Sequence, residues 1–282
     1  MARPLRINGP GLTYHVTARG TGRMPIYRDD HDRLTFLERL AAVVEDYHLE
    51  CHAYCLMTNH YHLVVRTLDA NLSRSLQRLN GPYAQWWNGR HERSGHVFQG
   101  RFGAQVIQDD AYLLVACRYV VLNPVRAGLV SGPGDWRWSS YRATAALSPL
   151  PRFLSPDALW RCLSDGPAES AVERYRQFVS ADGADQSRLP PSPVVGSVEF
   201  VERFQSCRDG ASREVPRSER QVRPPLDRLF ADAMTRASRD GCAAEAFAIG
   251  YRMAEVARFL DVHPSTVSKM IERHKRLSRS RS

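Results

Sequence analysis

Two histidines separated by one residue form the first pattern in the chain that could support chemistry. His60 and His62 lie in the segment CLMTNHYHLVVR, at the entry to an apolar run. Residues i and i+2 of a strand share one face, so both imidazoles should point the same way while Tyr61 points opposite. Two neighbouring imidazoles can hold a divalent metal ion. The pair alone is a weak motif, because two surface histidines on an exposed sheet face have the same spacing.

A predicted helix further along the chain carries groups that could work beside such a metal. Tyr112 and Tyr119 are seven residues apart, and Asn123 follows Tyr119 by four, so all three lie near one helical face. A tyrosine, with a pKa of about 10, is a poor nucleophile at neutral pH. A metal that withdraws charge from the oxygens of a phosphodiester can compensate. For each tyrosine taken singly, a half-buried structural role is the alternative.

Arginines and aromatic residues alternate in the segment between these two features. The arginines are Arg78, Arg90, Arg93 and Arg101, and the aromatic residues are Tyr83, Trp86, Trp87, Phe98 and Phe102. Rings that stack on bases, with arginines that contact phosphates, are typical of proteins that hold unpaired DNA. We therefore predict that the four arginines bind DNA, and we expect at least half of the rings to be core residues instead.

Hydrophobic periodicity predicts the elements that must position these groups. The expected elements are a strand over Leu12–Arg19, a helix over Asp30–His48, a hairpin of Cys51–Met57 and Tyr61–Arg66, a helix over Asn71–Trp87 capped by Asn71, a strand over Val97–Ile107 and a helix that Asp109 and Asp110 open, which Asn123-Pro124 ends. This order predicts an α+β fold, namely a ferredoxin-like split βαβ domain with an antiparallel sheet. We expect one face of that sheet to be free for a ligand or substrate.

The second half of the chain differs in composition from the first. From about Ser148 the pattern is loosely helical with Pro-rich breaks, and the stretch from Cys207 to Pro225 is charged and arginine-rich, which is typical of a linker. The predicted organisation is an α+β domain over residues 1–145, a helical extension over 146–206, a linker over 207–225 and a tail unit over 226–282.

The tail unit contains a pattern typical of a helix-turn-helix. The segment Met253–Arg273 predicts two short helices around a tight turn, with Pro264 at the start of the second helix. We expect Ala257, Val262 and Val267 to be buried, and Asp261 stands where many such turns have glycine.

The second tail helix carries the residues that would read a major groove. They are Ser265, Thr266, Ser268 and Lys269, and a basic extension that would contact phosphates begins at Arg273. A small helical hairpin used for protein contacts is the alternative.

Bulk composition narrows the function classes. The chain has 282 residues, 43% of them hydrophobic, and a formal net charge of +9. No apolar run is long enough for a membrane helix and the amino terminus lacks a secretory pattern, so we expect a soluble, cytoplasmic protein without a membrane partner. The basic excess favours a polyanionic partner. The six cysteines indicate reduced thiols, and a zinc site at Cys51 and Cys55 is weakly supported because no second ligand pair follows.

Several motifs resemble those of one known family. MTNHYHLVV resembles the His-hydrophobe-His strand of the single-tyrosine HUH transposases, and RYVVLNPVRAGLV resembles their nucleophile helix. The segment VTARG near Val16, the run from Leu79 to Phe102 and the later WRWSSY further resemble the REP-associated tyrosine transposase branch. The resemblance spans about residues 8 to 145, and it is specific because the motifs occur in the right order.

This resemblance implies an enzyme that cleaves and rejoins single-stranded DNA, in DNA transposition or in the mobilisation of repetitive hairpin elements. Cleavage in that family leaves a 5′-phosphotyrosine and a free 3′-hydroxyl. By motif position, Tyr119 is the nucleophile, His60 and His62 are metal ligands, and Asn123 is the third ligand. The resemblance further implies Mg²⁺ or Mn²⁺ and single-stranded or hairpin DNA as partners. A homodimer that completes the active site in trans is left open by the sequence.

Two other readings compete with this one. The first is a non-catalytic, domesticated DNA-binding regulator in which the tail does the work and the front domain only binds. The presence of His60, His62 and Tyr119 together argues against it, since a decayed site would lose one of them. The second is a metal phosphohydrolase acting on nucleotides, which would turn over without a trapped tyrosine intermediate.

Overall fold

A computed structural model describes residues 7–108, 111–181, 189, 192–209, 226–231, 233, 235–248, 251 and 253–279. The chain divides into two compact units. The larger spans Pro10–Glu202, and the smaller contains the residues from Arg203 onward together with those before Pro10. Among the described residues, no helix combines the length and apolar character needed to cross a membrane.

The larger unit is built on a five-stranded sheet. Its strands are β1 (Leu12–Arg19), β2 (Leu49–Leu56), β3 (His60–Thr67), β4 (Gly103–Ile107) and β5 (Val194–Val195). They lie in the order β2-β3-β1-β4-β5. The first four form antiparallel pairs, and β5 adds to the edge parallel to β4.

Helices connect and cover the strands. Those that begin in the larger unit are α1 (Asp30–Asp46), α2 (Leu72–Arg90), α3 (Ala111–Val121), α4 (Asn123–Arg126), α5 (Tyr141–Thr144), α6 (Asp157–Leu163), α7 (Ala168–Ser180) and α8 (Val198–Asp209). Helix α1 connects β1 to β2 with β3 between them, and α2 connects β3 to β4 with β1 between them. The α+β class is therefore confirmed, and the topology is the split βαβ arrangement that the element order predicts.

One face of the sheet packs against α1 and α2 through an aromatic cluster. Tyr61 of β3 is fully buried, and its ring centroid lies 4.9 Å from that of Phe36 on α1. Phe36 in turn lies 5.1 Å from Tyr83 on α2. The Tyr61 hydroxyl donates to Asn80 Oδ1 at 2.9 Å. Tyr61 thus points away from the histidine pair, as strand alternation requires.

The other face of the sheet is covered over much of its area. Ala53, Cys55 and Val64 from the strands form one buried cluster with Cys117 and Val120 of α3. Residues of α5, α6 and α7 extend the same cluster, so the region after residue 145 packs into this unit. The expectation of a free sheet face is wrong, because α3 is apolar enough to need burial on its inner side.

One of three predicted boundaries near β4 and α3 differs from the structure. The predicted strand over Val97–Ile107 contains regular pairing only from Gly103, because Gly100 adopts a left-handed φ of 80° and turns the chain. Asp109 and Asp110, predicted to open α3, lie outside the described residues. Asn123-Pro124 was expected to end the helix, and α3 ends at Val121; the short α4 begins at Asn123 after a break at Leu122.

The described part of the smaller unit is mostly helical. It contains α9 (Leu226–Leu229), α10 (Arg236–Ala248), α11 (Met253–Phe259) and α12 (Pro264–Arg279). Its core joins Ala243 and Ala246 of α10, Val256 and Ala257 of α11, and Val267, Met270 and Ile271 of α12. Of the predicted linker, residues 207–209 belong to α8 and residues 210–225 lie outside the described part of the chain.

The turn between α11 and α12 agrees with its prediction in one residue and not in another. Asp261 adopts a left-handed φ of 53°, the conformation for which glycine is favoured and which aspartate tolerates. Val262 was expected to be buried, but it is 37% exposed. Ala257 and Val267, on either side of the turn, are buried where the two helices pack together. Val262 lies outside this packed contact.

Candidate active site

The histidine pair lies where β3 begins, beside the end of β1. His60 pairs with Arg19 and His62 pairs with Thr17 in the antiparallel register of the two strands. Paired residues of an antiparallel sheet point to the same face, so Thr17, Arg19 and His15 share the face of the two imidazoles. These residues and the two histidines form a polar strip on the face that α3 covers. The strip reaches solvent at one end, because Arg19 is exposed and His60 is half-buried.

Gly103 packs closely against this strip. It pairs with Thr17, and a Cβ built at Gly103 would lie only 2.9 Å from Thr17 Oγ1. A glycine at this position allows the Thr17 side chain to approach the backbone of β4 closely. Thr17 lies between Gly103 and His62 in the register of the three strands.

His62 is the more buried of the two predicted ligands, with 6% of its surface exposed. Its Nδ1 lies 2.9 Å from Nε2 of His15, a residue of β1. Its Nε2 is buried and has no hydrogen-bond partner. A buried ring nitrogen without a partner is costly unless another group binds it.

His60 is closer to solvent and is oriented by its neighbour. Its Nδ1 lies 2.7 Å from Oδ1 of Asn59. Burial, with a smaller effect of the positive charge of Arg19, lowers the pKa of His60 to about 4. Burial also lowers the pKa of His62 well below its ordinary range. Both imidazoles are therefore uncharged near neutral pH, and an uncharged imidazole can bind a metal ion.

Tyr119 meets the histidines from α3. Its ring centroid lies 5.8 Å from that of His62 and 5.7 Å from that of His15, edge-on in both cases. The rings of a residue from a distant helix and of two strand residues therefore converge on one face of the sheet. Within the described residues, no ring contact joins Tyr112 to a histidine, although Tyr112 packs against the same apolar cluster.

The end of α3 is held by the residues that follow Tyr119. Asn123 Nδ2 donates to the Tyr119 carbonyl at 2.8 Å and to the Val120 carbonyl at 3.4 Å. Arg126 Nη1 donates to the Tyr119 carbonyl at 3.2 Å, and its guanidinium lies 4.9 Å from the Tyr119 ring centroid. The last carbonyls of a helix need such donors. Both hydrogen bonds of the Asn123 amide hold the backbone of the helix, and the role of Asn123 as a metal ligand stays a prediction.

The donor set fits a divalent metal ion at His60 and His62. The unpartnered Nε2 of His62 and the partly exposed ring of His60 supply two nitrogen donors on one face. Among the residues that the structure describes, no three His, Cys, Asp or Glu side chains are grouped to hold a metal. Further ligands would therefore be amide, water or phosphate oxygens. The same observation leaves the zinc reading of Cys51 and Cys55 without support, and burial raises the pKa of Cys51 to about 12.

The four arginines predicted to bind DNA lie in different surroundings. Arg78, Arg93 and Arg101 are exposed. Arg90 forms a bidentate pair with Asp29, at 2.7 and 3.0 Å, and contacts the fully buried Asp32. Arg90 thus connects the start of α1 to the end of α2, a structural role that the sequence did not reveal.

Most of the aromatic residues near these arginines are core residues. Tyr83, Trp87, Phe98 and Phe102 are buried, and Trp86 is half-buried. Buried rings cannot stack on bases. The half-buried Trp86 lies beside the guanidinium of Arg90, which is 5.7 Å from its ring centroid.

The tail residues predicted to bind DNA fall into two groups. Ser265, Thr266 and Lys269 are exposed on the first turns of α12, and Ser268 is half-buried. Arg273 instead forms a bidentate pair with Asp240 of α10, at 2.8 Å for both bonds. That pair ties α12 to α10 and gives Arg273 a structural role.

Sequence reasoning missed three residues of this site. His15 contacts both His62 and Tyr119, Gln105 contacts His15, and Arg126 contacts Tyr119. One available signal is the alternation in β1, where the polar residues His15, Thr17 and Arg19 share one face. That pattern indicates a polar strip on an otherwise apolar strand.

Comparison with known proteins agrees with the motifs. Residues 10–123 match the family model described as "Transposase IS200 like". A protein of Haemophilus influenzae with the provisional name REP-associated tyrosine transposase is 27% identical over 110 residues, which cover 34% of this chain. The match spans 61% of the length of the Haemophilus protein.

A solved structure also shows similarity. It is described as a REP-associated tyrosine transposase bound to a REP hairpin, and it is 19% identical to this chain. The superposition covers 60% of this chain and 96% of the other, with a TM-score of 0.45.

Proposed function

We propose, from the match of residues 10–123 to the IS200-like transposase family model, that the chain cleaves and rejoins single-stranded DNA through Tyr119. The observation that carries the proposal is the position of the Tyr119 ring, 5.8 Å from His62 on the face where His62 Nε2 has no partner. The proposed nucleophile and two uncharged imidazoles then lie close together, beside the apolar cluster under α3.

The reaction is a transesterification in which atoms balance without water. The Tyr119 hydroxyl oxygen attacks the phosphorus, the bond from phosphorus to the 3′-oxygen breaks, and the proton lost by the tyrosine is matched by one gained at the leaving oxygen. The 5′ phosphate remains on Tyr119 and the other strand end carries a free 3′-hydroxyl. Because one phosphodiester replaces another, the bond is conserved for rejoining.

The residues of the chain supply position and charge. His60 and His62 would hold a Mg²⁺ or Mn²⁺ ion, with Asn123 as the proposed third ligand. That ion would withdraw charge from the non-bridging oxygens of the scissile phosphate. Asn123 and Arg126 hold the helix end that carries Tyr119. The guanidinium of Arg126, 4.9 Å from the Tyr119 ring, adds a positive charge where a phosphate would arrive.

The tail unit would hold flanking duplex or hairpin DNA. Exposed Ser265, Thr266 and Lys269 at the start of α12 support a recognition helix of the helix-turn-helix type. The exposed Arg78, Arg93 and Arg101 of the larger unit would contact phosphates of the unpaired strand. Arg90 and Arg273 are left out of this proposal because each is paired with carboxylates.

The test is the covalent adduct on a single-stranded oligonucleotide from a repetitive hairpin, labelled at either its 5′ or its 3′ end. With Mn²⁺, the wild-type protein should give a denaturation-resistant band that carries the DNA fragment with the 5′-phosphate. A chelator present from the start should prevent formation of this band. Tyr119→Phe should abolish the band, while Tyr112→Phe should retain it. An adduct that survives in Tyr119→Phe would remove the nucleophile assignment, and binding without any cleavage would favour the non-catalytic regulator.

A further inference from the structure

A chain of hydrogen bonds runs from His62 to the edge of the sheet. His62 Nδ1 lies 2.9 Å from His15 Nε2, and His15 Nδ1 lies 3.0 Å from Gln105 Oε1. Gln105 Nε2 lies 2.6 Å from the carbonyl oxygen of Ser192. The four residues come from β3, β1, β4 and the segment just before β5.

The two imidazoles meet edge to edge. Their planes differ by 2° and their centroids are 5.1 Å apart, while the facing nitrogens are only 2.9 Å apart. The N–H and the lone pair of an imidazole lie in the plane of its ring, so this arrangement is a well-aligned hydrogen bond. One of the two nitrogens must donate and the other must accept.

The carbonyl of Ser192 decides which nitrogen donates. A carbonyl only accepts, so the Gln105 nitrogen must face Ser192 and the Gln105 oxygen must face His15. An amide turned the other way would place two acceptors 2.6 Å apart. His15 therefore carries its proton on Nδ1, where it donates to Gln105.

The same logic continues from His15 to His62. His15 is buried, both of its ring nitrogens are used, and neither partner is a carboxylate that would stabilise an imidazolium there. Its Nε2 is then a lone pair that accepts from His62 Nδ1–H. Once the His62 proton is on Nδ1, Nε2 of His62 is a bare lone pair, and this is the buried nitrogen that has no partner.

We propose that Ser192, Gln105 and His15 form a relay that fixes the tautomer of His62 and thereby directs the lone pair of its Nε2 to a metal ion. His15 and Gln105 are positioning residues in this relay, and the metal-binding part of the inference rests on the proposed function. Partners that fix the tautomer and orientation of metal-binding histidines are a general feature of metal sites.

The relay also assigns a role to part of the region after residue 145. Ser192 is held against β4 because Val106 N donates to the Pro193 carbonyl at 2.9 Å and Gln108 N donates to the Val195 carbonyl at 2.8 Å. The short β5 thus fixes the carbonyl that orients Gln105. Sequence reasoning left this segment without a function.

The tautomer can be measured in the metal-free, DNA-free protein. Long-range ¹H–¹⁵N NMR of protein labelled with ¹⁵N-histidine distinguishes Nδ1–H from Nε2–H imidazoles. We expect His15 and His62 to be Nδ1–H tautomers in the full-length wild type. His52 is an internal reference, because its Nδ1 lies 2.8 Å from the Ser155 carbonyl and must also carry the proton. An Nε2–H tautomer at His62 in the wild type would overturn the relay without any variant.

Gln105→Met separates the relay from mere packing. It keeps the length of the side chain but removes its amide, so His15 and His62 should lose the fixed Nδ1–H tautomer while His52 keeps it. Gln85→Met makes the same substitution at an exposed glutamine of α2 and should leave all three tautomers as in the wild type. If Gln105→Met leaves His62 unchanged, or if Gln85→Met changes it equally, the relay is wrong.

Mn²⁺ affinity, measured by titration followed by electron paramagnetic resonance, gives the second readout. Gln105→Met should weaken Mn²⁺ binding by about 10-fold, the lower end of the range for loss of a direct partner of a metal ligand, because Gln105 acts on His62 through His15. Gln85→Met should bind Mn²⁺ as the wild type does. Equal affinity in the wild type and Gln105→Met would overturn the link to the metal. Because neither measurement involves DNA, a failure of the relay is distinguishable from a failure of the cleavage proposal.

Discussion

On one face of the sheet Tyr61 is packed among Phe36 and Tyr83, whereas on the other face His62, beside His60, meets the ring of Tyr119. Both faces use successive residues of the same strand. The aromatic face is closed by two helices, while the histidine face brings uncharged imidazoles beside a tyrosine ring. Period-two alternation therefore separates the residues that stabilise the domain from those proposed to react, and substitutions on the two faces should have different consequences.

Phe36→Ala should have the largest effect and should act on stability. The side chain is fully buried between Tyr27, Tyr61 and Tyr83, so its loss should lower the free energy of unfolding by about 3–5 kcal/mol. Urea unfolding followed by circular dichroism measures it. Leu34→Ala on the same helix is the matched control, because Leu34 is 47% exposed and should change stability by less than about 0.5 kcal/mol. Equal effects of the two variants would contradict the assignment of this face to the core.

His60→Ala should act on the reaction rather than on stability. Loss of a proposed metal ligand should slow formation of the covalent adduct by at least about 100-fold, while the free energy of unfolding changes by less than about 1 kcal/mol. Single-turnover kinetics with excess Mn²⁺ and urea unfolding measure the two effects. His96→Ala, which changes an exposed histidine, should leave both values unchanged. An adduct that forms at the wild-type rate in His60→Ala would contradict the role of this face.

Acidification should lower the contribution of the histidine face to the free energy of unfolding, and this effect should be smaller than those of the two substitutions above. Burial lowers the pKa of His60 to about 4 and also lowers those of His15 and His62. Between a pH of about 6.5 and about 4 the unfolded chain binds more protons at these groups than the folded chain, so their contribution to stability decreases as the pH falls through that window.

Urea unfolding of the metal-free protein at several pH values measures this effect. His60→Ala should reduce the slope of stability against pH, whereas His96→Gln should leave the slope as in the wild type. A slope that is the same in His60→Ala and the wild type would show that His60 does not contribute.

The elements of the larger unit could be predicted because their signals are local. Strand β1 was predicted with its observed bounds, Leu12–Arg19, since apolar and polar residues alternate without interruption there. The hairpin of β2 and β3 was predicted from two apolar runs around Thr58-Asn59. Strand β4 was predicted too long, because a left-handed glycine turn at Gly100 and an isolated pairing of Phe98 with Gly20 resemble a continuous strand in sequence.

The contacts of the site could be predicted only where a motif or a short spacing carried them. His60, His62 and Tyr119 were found by spacing and resemblance. His15 bonds to a residue 47 positions away, and Gln105 bonds to Ser192 across 87 positions. No local pattern reports such pairings, since they depend on the order of strands in the sheet. The same reason explains why the pairing of Arg90 with Asp29, 61 positions earlier, was missed.

Mapping the modified residue by mass spectrometry tests the central claim most directly. Wild-type protein would be incubated with Mn²⁺ and a single-stranded oligonucleotide, the DNA digested, and the peptides sequenced. We expect a nucleotide attached through its 5′-phosphate to Tyr119, the ring that lies beside His62. A nucleotide on Tyr112 or any other residue, or cleaved DNA without a modified peptide, would contradict the account.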